Sequence, residues 1–240
     1  MILLELQCFS EEAYMDTIDK VFPWEDPSLD IWQRCIETIK GVLFQPASTF
    51  AKISPQTGIG KSLLFAVIFG TIGNVFATIY QLVLQSFSML GPFFGTRPDI
   101  KESVLGFIAM PIVLVLFIII SPLLVMVGVF IWAGIYHLFL LLFRAAEGGF
   151  EATIKVVAYT MGSTMLFNIV PFCGCIIAGI WSLVCYIIGF KVVHSTDTSK
   201  AVFAVLLPLI IVCCCCIAVI MMIAGMGAFA GFTAYQGQGF

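Results

Sequence analysis

The sequence predicts an all-α fold: a polytopic helical transmembrane bundle of about five spans, drawn from six apolar stretches, behind a short cytoplasmic helical N-terminal region. Three observations carry this. The 240 residues are 61% hydrophobic and only 10% charged, whereas a soluble domain runs near 45–50% apolar and about 25% charged. The mean hydropathy is +1.10, and 23 Phe and 10 Met add apolar bulk that a core of this size cannot hide from water. Charge is also partitioned. Residues 1–61 hold five of the eleven Lys/Arg and nine of the fourteen Asp/Glu, and the remaining chain is almost uncharged. This composition excludes an ordinary soluble enzyme, a disulfide-stapled secreted domain and a basic nucleic-acid binder. Ten-residue alternating segments are absent, which argues against an outer-membrane barrel.

The elements follow in order. Glu11, Glu12, Asp16 and Asp19 share one face of a short helix expected at 11–20. Asp26 as N-cap and Pro27 at the first helical position predict an amphipathic helix over 27–44, because Pro fits where the backbone N–H is unpaired anyway. Leu29, Trp32, Cys35, Ile36, Ile39 and Leu43 recur on it at helical spacing. Its polar face mixes charges of both signs, so it is suited to packing on the bundle or binding a protein partner as well as to lying on lipid. Pro46 ends it, and Pro55–Gly58 is a loop.

The apolar stretches are Ser62–Leu84, Val104–Ile120, Pro122–Phe143, Val156–Val170, Phe172–Phe190 and Ala201–Phe229. A span needs about 20 residues, and the second and fourth have only 17 and 15. Six crossings with the N-terminus inside would place five Lys/Arg inside and six outside. If Val104–Ile120 and Pro122–Phe143 together cross once, the tally becomes nine inside and two outside. The positive-inside rule selects the latter: five crossings, N-terminus cytoplasmic, C-terminus outside. Pro171, between two apolar stretches with no polar loop, predicts a tight helical hairpin. The resulting organisation is 1–61 as the N-terminal region, 62–231 as the transmembrane domain and 232–240 as a polar tail.

Several runs resemble the Yip domain family of polytopic membrane proteins. They are Phe150-Glu-Ala-Thr-Ile-Lys-Val-Val-Ala-Tyr159, Ile169-Val-Pro171, Ile180-Trp181-Ser182, Ile187-Ile-Gly189-Phe-Lys191-Val-Val-His194 and Lys200-Ala-Val202. Pro23-Trp24-Glu25 and Leu43-Phe44-Gln45-Pro46 look like the lead-in of bacterial members. The resemblance implies a cytoplasmic N-terminal region, about five spans, and a non-enzymatic role in organising membrane or partner proteins. Eukaryotic members are named for interaction with Ypt/Rab GTPases. The bacterial likeness implies residence in the inner (cytoplasmic) membrane.

No catalytic constellation, cofactor motif or metal site is expected. There are two His, 137 and 194, and no HExxH, P-loop, GxSxG or GxGxxG. Cys213–Cys216 are consecutive, so on a helix they point about 100° apart and do not converge on an ion. Uncharged polar residues in the spans are the remaining candidates: Asn74, His137, Tyr159 and Asn168, with Pro171 as a structural centre and Trp181 as an interface anchor alongside Trp132, Tyr136 and Tyr186. If the first four lined one water-accessible cavity, a small-molecule or ion transporter or channel would be favoured. A closed bundle favours a scaffold or an accessory subunit of a membrane complex. Gly227-xxx-Gly231 and Ala178-xxx-Ser182 are spacings that permit close helix approach in a homo-oligomer. The expected partners are the lipid bilayer and proteins met by the N-terminal region.

Overall fold

The computed structural model describes residues 21–54, 58–88 and 100–237, without side chains at 85–88, 100–110 and 226–237. The helix expected at 11–20 and the packing of the Gly227–Gly231 pair lie outside what the structure describes. Among those described there are seven α-helices and no strand. They are α1 (Ile31–Phe44), α2 (Pro46–Phe50), α3 (Gly60–Ser88), α4 (Ile100–Leu142), α5 (Gly149–Met165), α6 (Gly174–Val193) and α7 (Thr198–Gly237). Two 3-10 turns, Pro23–Glu25 and Leu166–Ile169, complete the order.

Helix α1 begins at Ile31 rather than at 27. Asp30 caps it in a capping box, with the Gln33 side chain accepting the Asp30 backbone N–H at 3.3 Å. Asp26 is used earlier: its Oδ1 accepts both the backbone N–H of Ser28 at 2.8 Å and the Ser28 hydroxyl at 2.6 Å, forming a turn over Pro27. Those two bonds hold the Asp26 carboxyl below its usual pKa range.

The second and third apolar stretches form a single helix, α4, 43 residues long with Pro111 and Pro122 inside it. Pro122 cannot donate to the carbonyl of Ile118, four residues back. The Ser121 hydroxyl donates to that carbonyl instead, at 2.9 Å. The orphaned acceptor is satisfied and the helix continues. The chain therefore stays helical through Ser121-Pro122, and the two stretches form one continuous element.

The long helices run alternately up and down. At one end, α4 turns into α5, and α6 into α7; the Gly148 backbone N–H donates to His194 Nδ1 at 2.9 Å across these turns. At the other end, α5 passes through its 3-10 turn into α6. Helix α5 is the hub: twelve of its seventeen residues are buried. It extends back through Lys155 to Gly149 and stops at Met165, so the short stretch Val156–Val170 is lengthened at its start. Close approach depends on glycine. A Cβ at Gly73 of α3 would stand 2.3 Å from the Met165 carbonyl oxygen, and one at Gly174 would stand 2.1 Å from that of Phe167.

Four helices carry segments long and apolar enough to cross a membrane: Gly60–Leu84, Pro111–Leu142, Gly174–Val193 and Thr198–Gly225. They expose large apolar side chains throughout, such as Ile112, Val113 and Ile119 on α4 and Ile217, Ile220 and Met221 on α7. Apolar surface on this scale fits lipid, not water. Residues 21–54 join the same core: Phe22, Val42 and Phe50 are buried with Phe65, Val156, Tyr159 and Phe190. The sequence boundary at 61 is not a packing boundary.

Candidate functional site

The polar groups that the bundle buries serve mainly to fix the N-terminal segment onto it. The 3-10 turn at Pro23–Glu25 is stabilised by Pro23 at its first position and presents Phe22, Trp24 and Glu25 to three helices. Phe22 stacks on the Tyr159 ring, with centroids 4.0 Å apart. The Tyr159 hydroxyl donates to Glu25 Oε1 at 2.9 Å, in a site where Tyr159 is fully buried and Glu25 is 6% exposed. Trp24 packs edge-on against Phe65, and its indole N–H donates to the Lys61 carbonyl at 2.8 Å. The Lys61 ammonium donates to the Glu25 carbonyl at 3.3 Å.

The other fastenings lie on α5 and α6. Lys155 is fully buried. Its ammonium donates to the Ser54 carbonyl and pairs with Glu151 one turn back, at 3.3 Å. The Trp181 indole donates to the Leu43 carbonyl at 2.9 Å, and the Cys185 thiol donates to that of Val42 at 3.4 Å. Both carbonyls belong to the last turn of α1, where helical acceptors lack intrahelical partners. Phe50 of α2 closes on Gly189, where an added Cβ would stand 3.1 Å from its ring.

A second polar cluster sits where the α4–α5 and α6–α7 turns meet. His194 is fully buried. Its Nδ1 accepts from Gly148, so the ring is neutral with its proton on Nε2, which donates to Thr153 Oγ1 at 3.0 Å. The same hydroxyl lies 2.9 Å from His137 Nδ1. Burial, and then the neighbouring His137, push the His194 pKa down to about 4.

The structure does not gather the sequence candidates. Tyr159 belongs to the Glu25 lock and His137 to the His194 cluster. Asn168 is at the opposite end, 9% exposed, with its amide nitrogen against Met165 Sδ at 3.4 Å. Pro171 is exposed in the α5–α6 turn, where its carbonyl accepts the Cys173 N–H at 2.8 Å. Asn74, with Thr78 and Gln81, lines a groove of about 390 Å³ between α3 and α4, opposite Val113, Leu114 and Phe117; the other three candidates do not line it. Trp181 is part-exposed, whereas Tyr136 and Tyr186 are core residues with rings 5.1 Å apart, not interface anchors. Cys213–Cys216 are exposed on α7. Among the described residues, no group of three or more His, Cys, Asp or Glu is arranged to hold a metal.

Sequence reasoning missed Glu25, Lys155 and Thr153 as site residues. Glu151 and Lys155, spaced i,i+4, were visible as a helical ion pair. Nothing local marks the pairing of Glu25 with Tyr159, 134 residues away.

The fold and the fastenings define a class: an integral, all-α polytopic membrane protein whose N-terminal helices are built into its bundle. The Yip1 domain family model matches residues 40–234, most of the chain, and the protein belongs to that family. The match begins inside α1, so the family pattern includes part of the docked segment. No curated protein and no solved structure matches the chain.

Proposed function

We propose that this protein is a non-enzymatic membrane organiser, which uses a bundle-anchored N-terminal helix pair to present a fixed surface to partner proteins or to the membrane. The observation that carries the reading is the way α1 is held. Its inner face and last turn are tied to α5 and α6, while Ile31, Trp32 and Phe44 are 69–76% exposed. An amphipathic helix with its buried face fixed and large apolar groups outward is a recognition element. The dispersal of Asn74, His137, Tyr159 and Asn168 supports this over transport, since they line no common path. We place the N-terminus in the cytoplasm and the C-terminus outside, in a bacterial inner membrane, on the charge tally and the bacterial likeness.

Three experiments test this. Trp32→Ala and Phe44→Ala should reduce co-purification of specific partners from mild detergent while leaving the melting of the bundle unchanged. Proteoliposomes of the intact protein should remain tight to ions and small solutes. A flux abolished by Asn74→Leu would overturn the proposal in favour of a channel. Reporter fusions after Leu84, Phe143, Phe190 and Phe240 should report outside, inside, inside and outside.

A further inference from the structure

The corner between α1 and α2 lies alongside a spanning helix. The chain climbs α6 through Val42, whose carbonyl accepts the Cys185 thiol, to Leu43, whose carbonyl accepts the Trp181 indole. It turns at Gln45-Pro46, and by Phe50 it has come back to Gly189. Trp181, Cys185 and Gly189 stand about 18, 12 and 6 Å from the Val193 end of α6, at 1.5 Å per residue. The whole of α6 is about 30 Å long, which matches the thickness of the hydrocarbon. The corner is therefore set within the length of the span and not beyond it, and its outer side faces lipid. Phe44, at the apex, is 76% exposed and available to acyl chains.

Between the two flanks of this corner is a groove of about 440 Å³. Glu37, Lys40 and Phe44 line it from one face of α1, and Ser48 and Lys52 line it from beyond the turn. Its floor is closed by the contact of Gly41 with Thr49, where an added Cβ would stand 2.6 Å from the Thr49 hydroxyl. The two walls are thus held in a fixed relation. Glu37 and Lys40 are exposed and Lys52 is half-buried. Among the described residues, none of these three forms an ion pair. Two ammonium groups and one carboxylate share the groove without neutralising one another. An anion between the two lysines would turn their mutual repulsion into attraction.

Along α1 the order is apolar, cationic, anionic. Phe44 is at the apex, Lys40 lies about 6 Å back from it and Glu37 about 10 Å back. A phospholipid with a primary amine presents the complementary order: acyl chain, phosphate, ammonium. Lysine stems lie along apolar surface while the ammonium reaches out to the headgroups, and basic pockets between spanning helices on the cytoplasmic side bind headgroup phosphates. We propose that the α1–α2 groove is a headgroup site for a phosphoethanolamine lipid, with the phosphate on Lys40 and Lys52, the ammonium on Glu37 and an acyl chain along Phe44. On the reading of α1 and α2 as a fixed recognition surface, on which this rests, the ligand is a lipid.

Native mass spectrometry of the full-length protein in mild detergent, titrated with dioleoyl lipids, provides the test. Phosphatidylethanolamine should bind about tenfold more tightly than phosphatidylcholine, whose quaternary ammonium cannot donate to Glu37. Lys40→Gln combined with Lys52→Gln should weaken phosphatidylethanolamine about 30-fold, which is about 2 kcal/mol for two lysines at a membrane surface. Glu37→Gln should bring the two lipids within about threefold of each other while phosphate binding is kept. Melting curves in lipid-free detergent should be the same for all variants, since these side chains lie outside the core. Inorganic phosphate and glycerophosphoethanolamine at the lipid concentration should displace none of the bound lipid; displacement would assign the groove to a soluble phosphate compound and overturn the proposal. Wild-type affinities for the two lipids within about threefold, or phosphatidylethanolamine binding by the double variant within about threefold of wild type, would also overturn it. The readout needs no protein partner, so such a failure leaves the Trp32→Ala co-purification test of the recognition surface standing.

Discussion

Replacing Tyr159 by Phe removes one hydroxyl and leaves the ring that stacks on Phe22 at 4.0 Å. The lost bond goes to Glu25 Oε1 at 2.9 Å, between partners that are fully buried and 6% exposed. A hydrogen bond to a charged group contributes about 1.5–3 kcal/mol. A loss of about 2 kcal/mol multiplies the population with the N-terminal segment undocked by roughly 30. Limited proteolysis in mild detergent reads that population, since cleavage tracks the open fraction when opening and closing are fast. Trypsin sites at Arg34 and Lys40 lie in α1 and need it to unwind. Their cleavage should therefore rise about 30-fold in Tyr159→Phe. Phe22→Ala should have a larger effect, because a buried aromatic truncation costs about 3–5 kcal/mol. A change under threefold in Tyr159→Phe, with the protein otherwise folded, would show that the Glu25 contact does not hold the segment.

Acid should open the turn cluster. His194 must stay neutral to accept from Gly148, and its pKa is depressed to about 4, so its contribution is present above the ordinary His pKa and is lost as pH falls from about 6.5 towards 4. Between pH 7 and pH 5 the expected loss is about 2 kcal/mol, read as a drop in detergent melting temperature that His194→Ala should flatten. Gly73→Ala should destabilise strongly, because its Cβ would meet the Met165 backbone at 2.3 Å, whereas Gly134→Ala enters open space and should be neutral or stabilising by up to about 1 kcal/mol; melting curves separate the two. Replacing Cys213–Cys216 by Ser should leave bound metal unchanged by elemental analysis, and stoichiometric zinc lost in the variant would contradict the helical-geometry argument.

The helices were legible where one local signal was enough. Unbroken apolar runs mark α3, α6 and α7, and the charge tally joins the two halves of α4. What completes α4 is the Ser121 hydroxyl on the Ile118 carbonyl, which a proline in the sequence does not advertise. The start of α1 was misplaced because Asp26 and Asp30 are both good caps, and only the Gln33 side chain favours the second. That residues 21–54 pack on the bundle is one of the readings the amphipathic helix leaves open; the contacts that fix them there are not legible. They pair Glu25 with Tyr159, Leu43 with Trp181 and Ser54 with Lys155, over separations of 101 to 138 residues. Charge composition marks residues 1–61 as the polar part of the chain, but it counts residues without showing which of them are buried.

The separation of those partners also sets an order of assembly. Trp24 meets Lys61 early, across 37 residues, and Phe65 one turn later. Glu25 waits for Tyr159, 134 residues further on. At 5–20 residues per second, the ribosome supplies that partner roughly 7 to 27 s later. Through that interval Phe22 and Phe50, both buried in the finished protein, have no α5 to cover them. Docking of the N-terminal segment is thus a late closing step of biogenesis, governed by the arrival of α5. A defect that delays α5 would be felt first at the opposite end of the chain, as an N-terminus left open to proteases and chaperones.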